Sequence, residues 1–140
     1  MKKGELFYLD FSKDKLRGYE NPKALSCVNA LRKAIQSGDS IPPVHVYELQ
    51  KPYYSEELHG SYVLSKYDGG GHHRAIAHVL EGVALPCVYE GIDSLSQYSK
   101  FQIRGVLLEV NKIQVIDDAG FMLGSAIKNG VFYRTGLGLE

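Results

Sequence analysis

The sequence has few cysteines, no tryptophan and no net charge. Its two cysteines, Cys27 and Cys87, lack the CxxC spacing of metal and redox motifs, which excludes a disulfide framework and indicates a reducing compartment. Sixteen Lys and Arg balance sixteen Asp and Glu, which excludes a global positive field that drives nonspecific nucleic-acid binding. No apolar run is long enough to cross a bilayer or to form the core of a signal peptide. We therefore expect a cytoplasmic protein that does not enter a membrane.

The remaining composition is that of an ordinary globular chain. A length of 140 residues, 44% of them hydrophobic, is enough for one compact domain with a buried core. Apolar residues recur with helical spacing over residues 22–36 and 75–82, and Gly38 and Gly82 are expected to cap these helices. The charged residues 12–15 predict a loop after the first strand. Strand-like composition marks the stretches 6–11, 44–49, 62–67 and 85–89. The sequence thus predicts an α+β fold.

From Arg104 onward the pattern changes to short apolar stretches separated by glycines. Two of these stretches flank Asn111 and Lys112, which predicts a tight hairpin turn. We interpret residues 1–100 as the main domain and residues 101–140 as a β-rich C-terminal extension. The extension is expected to pack on the same domain or to lie at the interface of a homo-oligomer.

A glycine-rich turn precedes the second predicted helix, and the strands at 44–49 and 62–67 are expected to form a hairpin-like unit that leads into it. Glycines permit a positive φ and a close approach to a ligand, and the free N–H groups that begin a helix attract anions. An arginine in the first turn offers donors that suit phosphate oxygens, and histidines can add hydrogen bonds or proton transfer near neutral pH. The predicted phosphate-binding residues are Gly70, Gly71, His72, His73 and Arg74.

Plainer interpretations of these residues remain open. The turn can be a simple strand-to-helix connection with Arg74 in a surface ion pair. The histidines invite a metal site, but His73 and His78 are five positions apart and do not share a helical face, so no metal site is predicted. Cys87 lies in an apolar strand, where burial raises the pKa of a thiol, and is expected to be an inert core residue.

The order of elements around the turn resembles that of the ParB/sulfiredoxin-like superfamily. The resemblance rests on a helix, the Ile-Pro-Pro-Val stretch at 41–44, a strand, the Gly-His-His-Arg-Ala stretch at 71–75, a second helix and the Leu-Pro-Cys-Val stretch at 85–88. It covers roughly residues 6–89. It implies a mixed sheet with helices packed on it, in which the turn and the helix N-terminus hold the phosphates of a nucleoside di- or triphosphate. Any Mg²⁺ is then carried by those phosphates.

This chain departs from the superfamily at two positions. Sulfiredoxins carry their reactive cysteine where this chain has His72, which excludes sulfinic-acid repair. Gly70 stands where many members have an aspartate, and Asp68 lies two residues upstream, so no metal-binding or catalytic role is predicted for Asp68. The resemblance to the free-serine kinase branch implies an acidic base, and Glu20 is its nearest analogue here. The candidate catalytic residues are Glu20, His72 and His73.

Three functions remain open. The first is a nucleotide-binding switch or enzyme, either a nucleoside triphosphatase or a small-molecule kinase. The second is a DNA-binding or nuclease-like protein, because residues 1–35 hold eight Lys and Arg against four Asp and Glu, an excess of 8 − 4 = +4. In that case Lys13, Lys15 and Arg17 extend the phosphate site along a nucleic-acid backbone; otherwise the basic residues are solvated surface. The third is a noncatalytic module that oligomerises through its extension. A complete chromosome-partition protein is not predicted, because residues 101–140 cannot supply both a helix-turn-helix and a dimerisation domain.

Overall fold

The structure, a computed structural model, describes residues 1–19, 22–49, 61–65, 71–92 and 107–117. These residues form strands and helices in an α+β arrangement, as predicted. The helices are α1 (Leu25–Gln36), α2 (His72–Glu81) and a 3₁₀ helix (Val110–Lys112). The strands are β1 (Leu6–Leu9), β2 (Lys15–Tyr19), β3 (Lys23–Ala24), β4 (Val44–Glu48), β5 (Ser61–Leu64), β6 (Leu85–Ile92), β7 (Leu107–Glu109) and β8 (Val115–Ile116).

Six strands build one mixed sheet in the order β1-β6-β4-β5-β2-β7. β4 and β5 pair antiparallel, which confirms the predicted hairpin-like unit. β1 pairs antiparallel with β6, and β7 antiparallel with β2, while the β6–β4 and β5–β2 pairs are parallel. β3 and β8 form a separate parallel pair. A mixed sheet is common to many α+β proteins, so this topology does not by itself identify a family.

The core lies between one face of the large sheet and α2. Val44 and Val46 alternate toward this face from β4 and are fully buried. Ala75 and Ile76 of α2 belong to the same apolar cluster. α1 packs against α2 and adds the fully buried Val28. Burying a valine or isoleucine side chain stabilises the fold by about 1.5–3 kcal/mol, so this layer fixes α2 on the sheet.

Left-handed glycines follow both α-helices. Gly38, with φ of 79°, comes two residues after α1, and Gly82, with φ of 68°, caps α2. The N–H of Gly82 donates to the carbonyl of Val79 at 3.1 Å. These positions confirm the predicted helix ends. In the part of the chain that the structure describes, no helix is long and apolar enough to span a membrane.

α1 begins later than its spacing predicts. The sequence predicts a helix from residue 22, but Lys23 and Ala24 are extended and form β3. β3 pairs with β8, and the Lys23 N–H donates to the carbonyl of Gln114 at 2.9 Å. Pairing with a strand that is distant in sequence therefore outweighs the local preference for a helix that begins at Pro22.

β2 lies where the sequence predicts a loop and no strand. Leu16 and Gly18 are buried, whereas Lys15 is exposed and Arg17 is partly exposed, which is the alternation of a strand with one covered face. Charged residues and glycine are uncommon in strands, so the composition of this segment does not indicate a strand. β2 pairs with β5 and places Gly18 beside α2.

The hairpin predicted at Asn111 and Lys112 is wrong. Both residues lie in the 3₁₀ helix, and the flanking strands enter different sheets, since β7 pairs with β2 and β8 with β3. Val110 and Ile113 are buried in the core, so the segment turns inward instead of folding back on itself. The strands predicted beyond residue 117 lie outside the described residues.

Candidate anion-binding site

The predicted phosphate-binding turn enters α2 through its N-terminal cap residue, Gly71. Gly71 has a φ of 105°, in the left-handed region that L side chains rarely adopt. It also lies against β4, because a Cβ added to Gly71 would be 2.5 Å from Cγ1 of the buried Val44. Backbone conformation and packing therefore both require glycine here. Gly70 and Asp68 lie outside the described residues.

Arg74 occupies the first turn of α2, as predicted, and its guanidinium is held in one place. Nη1 donates hydrogen bonds to the carbonyl oxygens of Pro42 and Pro43, each at 3.0 Å. Each proline ring fixes its own φ, so both acceptors belong to a stiff segment. Nη2 lies beside the helix cap, 3.3 Å from the position that a Cβ of Gly71 would take. Nε and Nη2 donate to no residue within the described ranges, and the predicted alternative of a surface ion pair is not found there.

The start of α2 carries a positive potential. Aligned peptide dipoles place about half a unit of positive charge at a helix N-terminus. The first turn contains no acidic residue, and the cap residue Gly71 offers no side-chain acceptor. Burial lowers the pKa of Arg74, yet an arginine stays protonated in proteins. A cation at the positive end of a helix is unfavourable, and an external anion would relieve this repulsion.

His72 is buried beneath the first turn of α2. The residue is only 1% exposed, and a Cβ added to Gly18 would approach Cδ2 of its ring to 2.6 Å. Desolvation, reinforced by the positive charge of Lys23, lowers the pKa of His72 to about 3. The imidazole is therefore neutral at physiological pH and packs against β2. Its catalytic role stays a prediction, and with so low a pKa the ring is not an imidazolium that could act as a general acid at neutral pH.

His73 connects α2 to the start of α1. The residue is 3% exposed, and Nε2 accepts a hydrogen bond from the Ala24 N–H at 3.2 Å. An accepting Nε2 carries no proton, so the neutral ring holds its proton on Nδ1. Because the side chains of His72 and His73 are engaged inside the protein, the backbone N–H groups of the first turn are better suited than the imidazoles to bind an anion.

Lys23 is a charged residue that the sequence does not distinguish from its solvated neighbours. It is fully buried in β3 and lies close enough to His72 to lower the pKa of that ring. Because Lys23 is fully buried, its side chain acts on the ring of His72 and is not exposed to an external ligand. Its burial results from the pairing of β3 with β8, for which the local sequence carries no signal.

Other candidate reactive groups are buried, engaged by the backbone or outside the described residues. Glu20 lies outside the described residues, so its role as a catalytic base stays a prediction. Cys87 is fully buried, and desolvation raises the pKa of its thiol to about 12, which confirms the predicted inert core cysteine. His78 packs along α2 with its Nδ1 2.6 Å from the carbonyl oxygen of Arg74. Within the described ranges, no group of three or more His, Cys, Asp or Glu could hold a metal ion.

Comparisons with known proteins identify no relative. No protein-family model matches the chain, and no significant match was found among curated proteins or among solved structures. The α+β class rests on the structure itself. Membership in the ParB/sulfiredoxin-like superfamily stays a prediction that rests on the sequence motifs.

Proposed function

We propose that this protein binds the phosphate groups of a nucleoside di- or triphosphate at the first turn of α2. The observation that carries the proposal is the placement of Arg74, whose guanidinium is fixed by two carbonyl acceptors beside the helix N-terminus. Nε and Nη2 donate to none of the residues that the structure describes, and we propose them as the donors for phosphate oxygens. Gly71 caps the helix in a left-handed conformation and supplies no side-chain acceptor, so the N–H groups of the turn suit an external anion.

The available interactions are large enough for useful affinity. A hydrogen bond to a charged group contributes roughly 1.5–3 kcal/mol. An anion at a helix N-terminus gains about 0.3–2 kcal/mol, with the larger values in partly buried positions. The carbonyls of Pro42 and Pro43 already hold the guanidinium, so little side-chain entropy is lost on binding.

We expect a polyphosphate as the ligand, because the superfamily resemblance implies a nucleoside di- or triphosphate and Arg74 places a positive charge beside the helix N-terminus. Mg²⁺ would arrive coordinated by phosphate oxygens, which is its usual mode in nucleotide sites. The nucleoside part of the ligand is taken from the superfamily resemblance. The same resemblance supports phosphoryl transfer to water or to a small hydroxyl compound, with Glu20 as the base.

Calorimetric titration of the full chain with ADP and ATP, with and without Mg²⁺, tests the proposal. We expect Arg74→Ala to weaken binding by about tenfold or more, because a charge-assisted hydrogen bond contributes at least about 1.5 kcal/mol. Arg32→Ala is the matched control, since Arg32 also contacts α2, through Glu81 at the opposite end, and should leave the affinity unchanged. Wild-type affinity in a folded Arg74→Ala protein contradicts the proposal.

A second candidate is binding of the DNA backbone, which the exposed side chains of Lys13 and Lys15 favour. The basic N-terminal run is less continuous than its sequence indicates, because Lys23 is buried and Arg32 is paired with Glu81. Binding to duplex DNA that weakens with salt and with charge removal at Lys13 and Lys15 would support this function. Absence of binding at low salt would remove it.

A further inference from the structure

β1 lies at one edge of the large sheet, and the side of β1 away from β6 is a free edge. Among the residues that the structure describes, β1 pairs only with β6. Leu9 of β1 belongs to the core, so Leu6 and Tyr8 turn to the opposite face, where they are 69% and 74% exposed. The residues opposite them on β6, Val88 and Pro86, are partly exposed as well. An apolar strip therefore runs along the free edge.

The backbone groups of β1 alternate between β6 and the free edge. The N–H of Tyr89 donates to the carbonyl of Glu5 at 2.9 Å, so Glu5 faces β6. In an antiparallel pair every second residue bonds to the partner strand, so the alternate residues after Glu5 do the same. Tyr8 lies opposite Pro86, which has no N–H and therefore fits a position without a ladder hydrogen bond. The N–H and C=O groups of Leu6 and Tyr8 consequently point away from the sheet.

The two edges of the sheet differ in their protection against further pairing. β7, at the other edge, is short and runs directly into the 3₁₀ helix. It carries Glu109, which forms ion pairs with Lys15 and Lys112. Short length and charged side chains keep edge strands from pairing with other chains. β1, in contrast, has the sequence Leu-Phe-Tyr-Leu, with no charge and no proline, and its register with β6 is regular. β1 is therefore the edge that is suited to accept another strand.

We infer that β1 pairs antiparallel with β1 of a second copy of this chain, across a two-fold axis. The register follows from the groups at the free edge: Leu6 lies opposite Tyr8 of the second copy, and every outward N–H and C=O of both strands finds a partner. A shift in either direction would leave one of these residues beyond the end of the partner strand. The side chains of Leu6 and Tyr8 then form an aliphatic–aromatic pair on the exposed face, which favours strand pairing.

The charges that flank β1 also favour a second copy in this orientation. Residues 2–5, before the strand, hold two lysines and one glutamate, a net charge of 2 − 1 = +1. Residues 10–14, after it, hold one lysine and two aspartates, a net charge of 1 − 2 = −1. Antiparallel pairing sets the first group of one copy beside the second group of the other, so that charges of opposite sign meet at both ends of the contact.

Amide hydrogen exchange of the ¹⁵N-labelled full chain, measured in dilute and in concentrated solution, tests the register. The amides of Phe7 and Leu9 face β6 and should be protected in both solutions. Those of Leu6 and Tyr8 should exchange about tenfold more slowly when about nine-tenths of the chains are paired. Protection of Leu6 and Tyr8 that is already complete in dilute solution would mean that another segment of the same chain covers the edge, and would overturn the inference.

Sedimentation equilibrium of the full chain tests the pairing of Leu6 with Tyr8. Leu6→Lys combined with Tyr8→Lys sets like charges opposite each other and should weaken self-association by about tenfold or more. Leu6→Lys combined with Tyr8→Glu sets opposite charges together and should associate more tightly than the double-lysine variant. Both positions are exposed, so the fold should survive the changes. Leu80→Lys, at an exposed apolar position of α2, is the matched control and should leave self-association unchanged.

The contact between two short strands is small, which places it among weak complexes, so the measurements must extend to high protein concentration. A chain that stays monomeric up to about millimolar concentration would overturn the inference. Self-association that is indifferent to the double-lysine variant would do the same, as would equal weakening in the lysine–lysine and lysine–glutamate variants.

Discussion

At the C-terminal end of α2 an acidic residue faces the negative end of the helix dipole, whereas at the N-terminal end an arginine faces the positive end. Both placements are unfavourable in an isolated helix. The protein compensates the first internally, because Arg32 donates a hydrogen bond to Glu81 at 2.6 Å and lowers the pKa of that carboxyl. Arg74 receives only neutral carbonyl partners from the described residues. This difference supports the proposal that an external anion completes the N-terminal end.

The glycines at the two ends of α2 also differ, in how closely the surrounding residues pack against them. A Cβ added to Gly82 would meet open space, so only its backbone conformation favours glycine. A Cβ added to Gly71 would meet Val44, so packing and conformation both exclude a side chain. The N-terminal end of α2 is thus pressed onto the sheet, and its first turn is fixed relative to β4.

Gly71→Ala should have the largest effect on stability. A left-handed alanine costs about 1–3 kcal/mol, and overpacking against Val44 adds about 1–3 kcal/mol. We expect the free energy of unfolding in urea to fall by about 2–6 kcal/mol. If Gly71→Ala lowered the free energy of unfolding no more than Gly82→Ala does, packing would not distinguish the two ends of α2.

Acid should destabilise the protein through the buried histidine of the first turn. The pKa of His72 is about 3 in the folded protein against 6.5 for an ordinary histidine, so between these values only the unfolded chain binds the proton. The free energy of unfolding should therefore fall as the pH drops through this window, by up to about 1.4 kcal/mol per pH unit. Burial lowers the pKa of His78 as well, which adds an effect of the same sign. Urea unfolding at several pH values measures this dependence. The free energy of unfolding should change less steeply with pH in His72→Gln than in the wild type. Equal pH dependence would contradict the buried environment assigned to His72.

Gly18→Ala should have an intermediate effect, because its Cβ would lie 2.6 Å from the ring of His72. The backbone of Gly18 has no positive φ, so the cost comes from packing alone, about 1–3 kcal/mol. Thermal unfolding would measure it. A neutral or stabilising substitution would mean that the ring does not fill the space between α2 and β2.

Gly82→Ala should have the smallest effect, about 1 kcal/mol, because the left-handed conformation is its only constraint. Asparagine tolerates this conformation better, so Gly82→Asn should cost less than Gly82→Ala in the same unfolding experiment. A greater loss of stability in Gly82→Asn than in Gly82→Ala would show that backbone conformation does not determine which residue is tolerated at position 82.

The features of α2 that the sequence predicts depend on residues that are close together in the chain. The helical period, the glycine at each end of α2 and an arginine in its first turn all depend on residues within a few positions of each other. The carbonyl acceptors of Arg74 come from Pro42 and Pro43, more than thirty residues earlier, and motif reasoning gives no indication of that contact. The predicted motif therefore placed Arg74 correctly but could not orient it.

The incorrect predictions of secondary structure also result from contacts between residues that are distant in sequence. Lys23 is extended and buried because β8 pairs with β3, and β2 is a strand because it lies between β5 and β7. The 3₁₀ helix replaces the predicted hairpin because Val110 and Ile113 enter the core. Each of these outcomes depends on partners distant in sequence, for which composition and spacing carry little information.

We propose that the N-terminal end of α2 binds an anion and that the C-terminal end does not. Titration of the ¹⁵N-labelled chain with inorganic pyrophosphate tests it directly, with the amide signals of Gly71 to Arg74 compared with those of Gly82 and Val83. We expect saturable shifts at Gly71 to Arg74 that are lost in Arg74→Ala, and no shifts at Gly82 and Val83. Shifts of equal size at both ends, or none at Gly71 to Arg74, would contradict it.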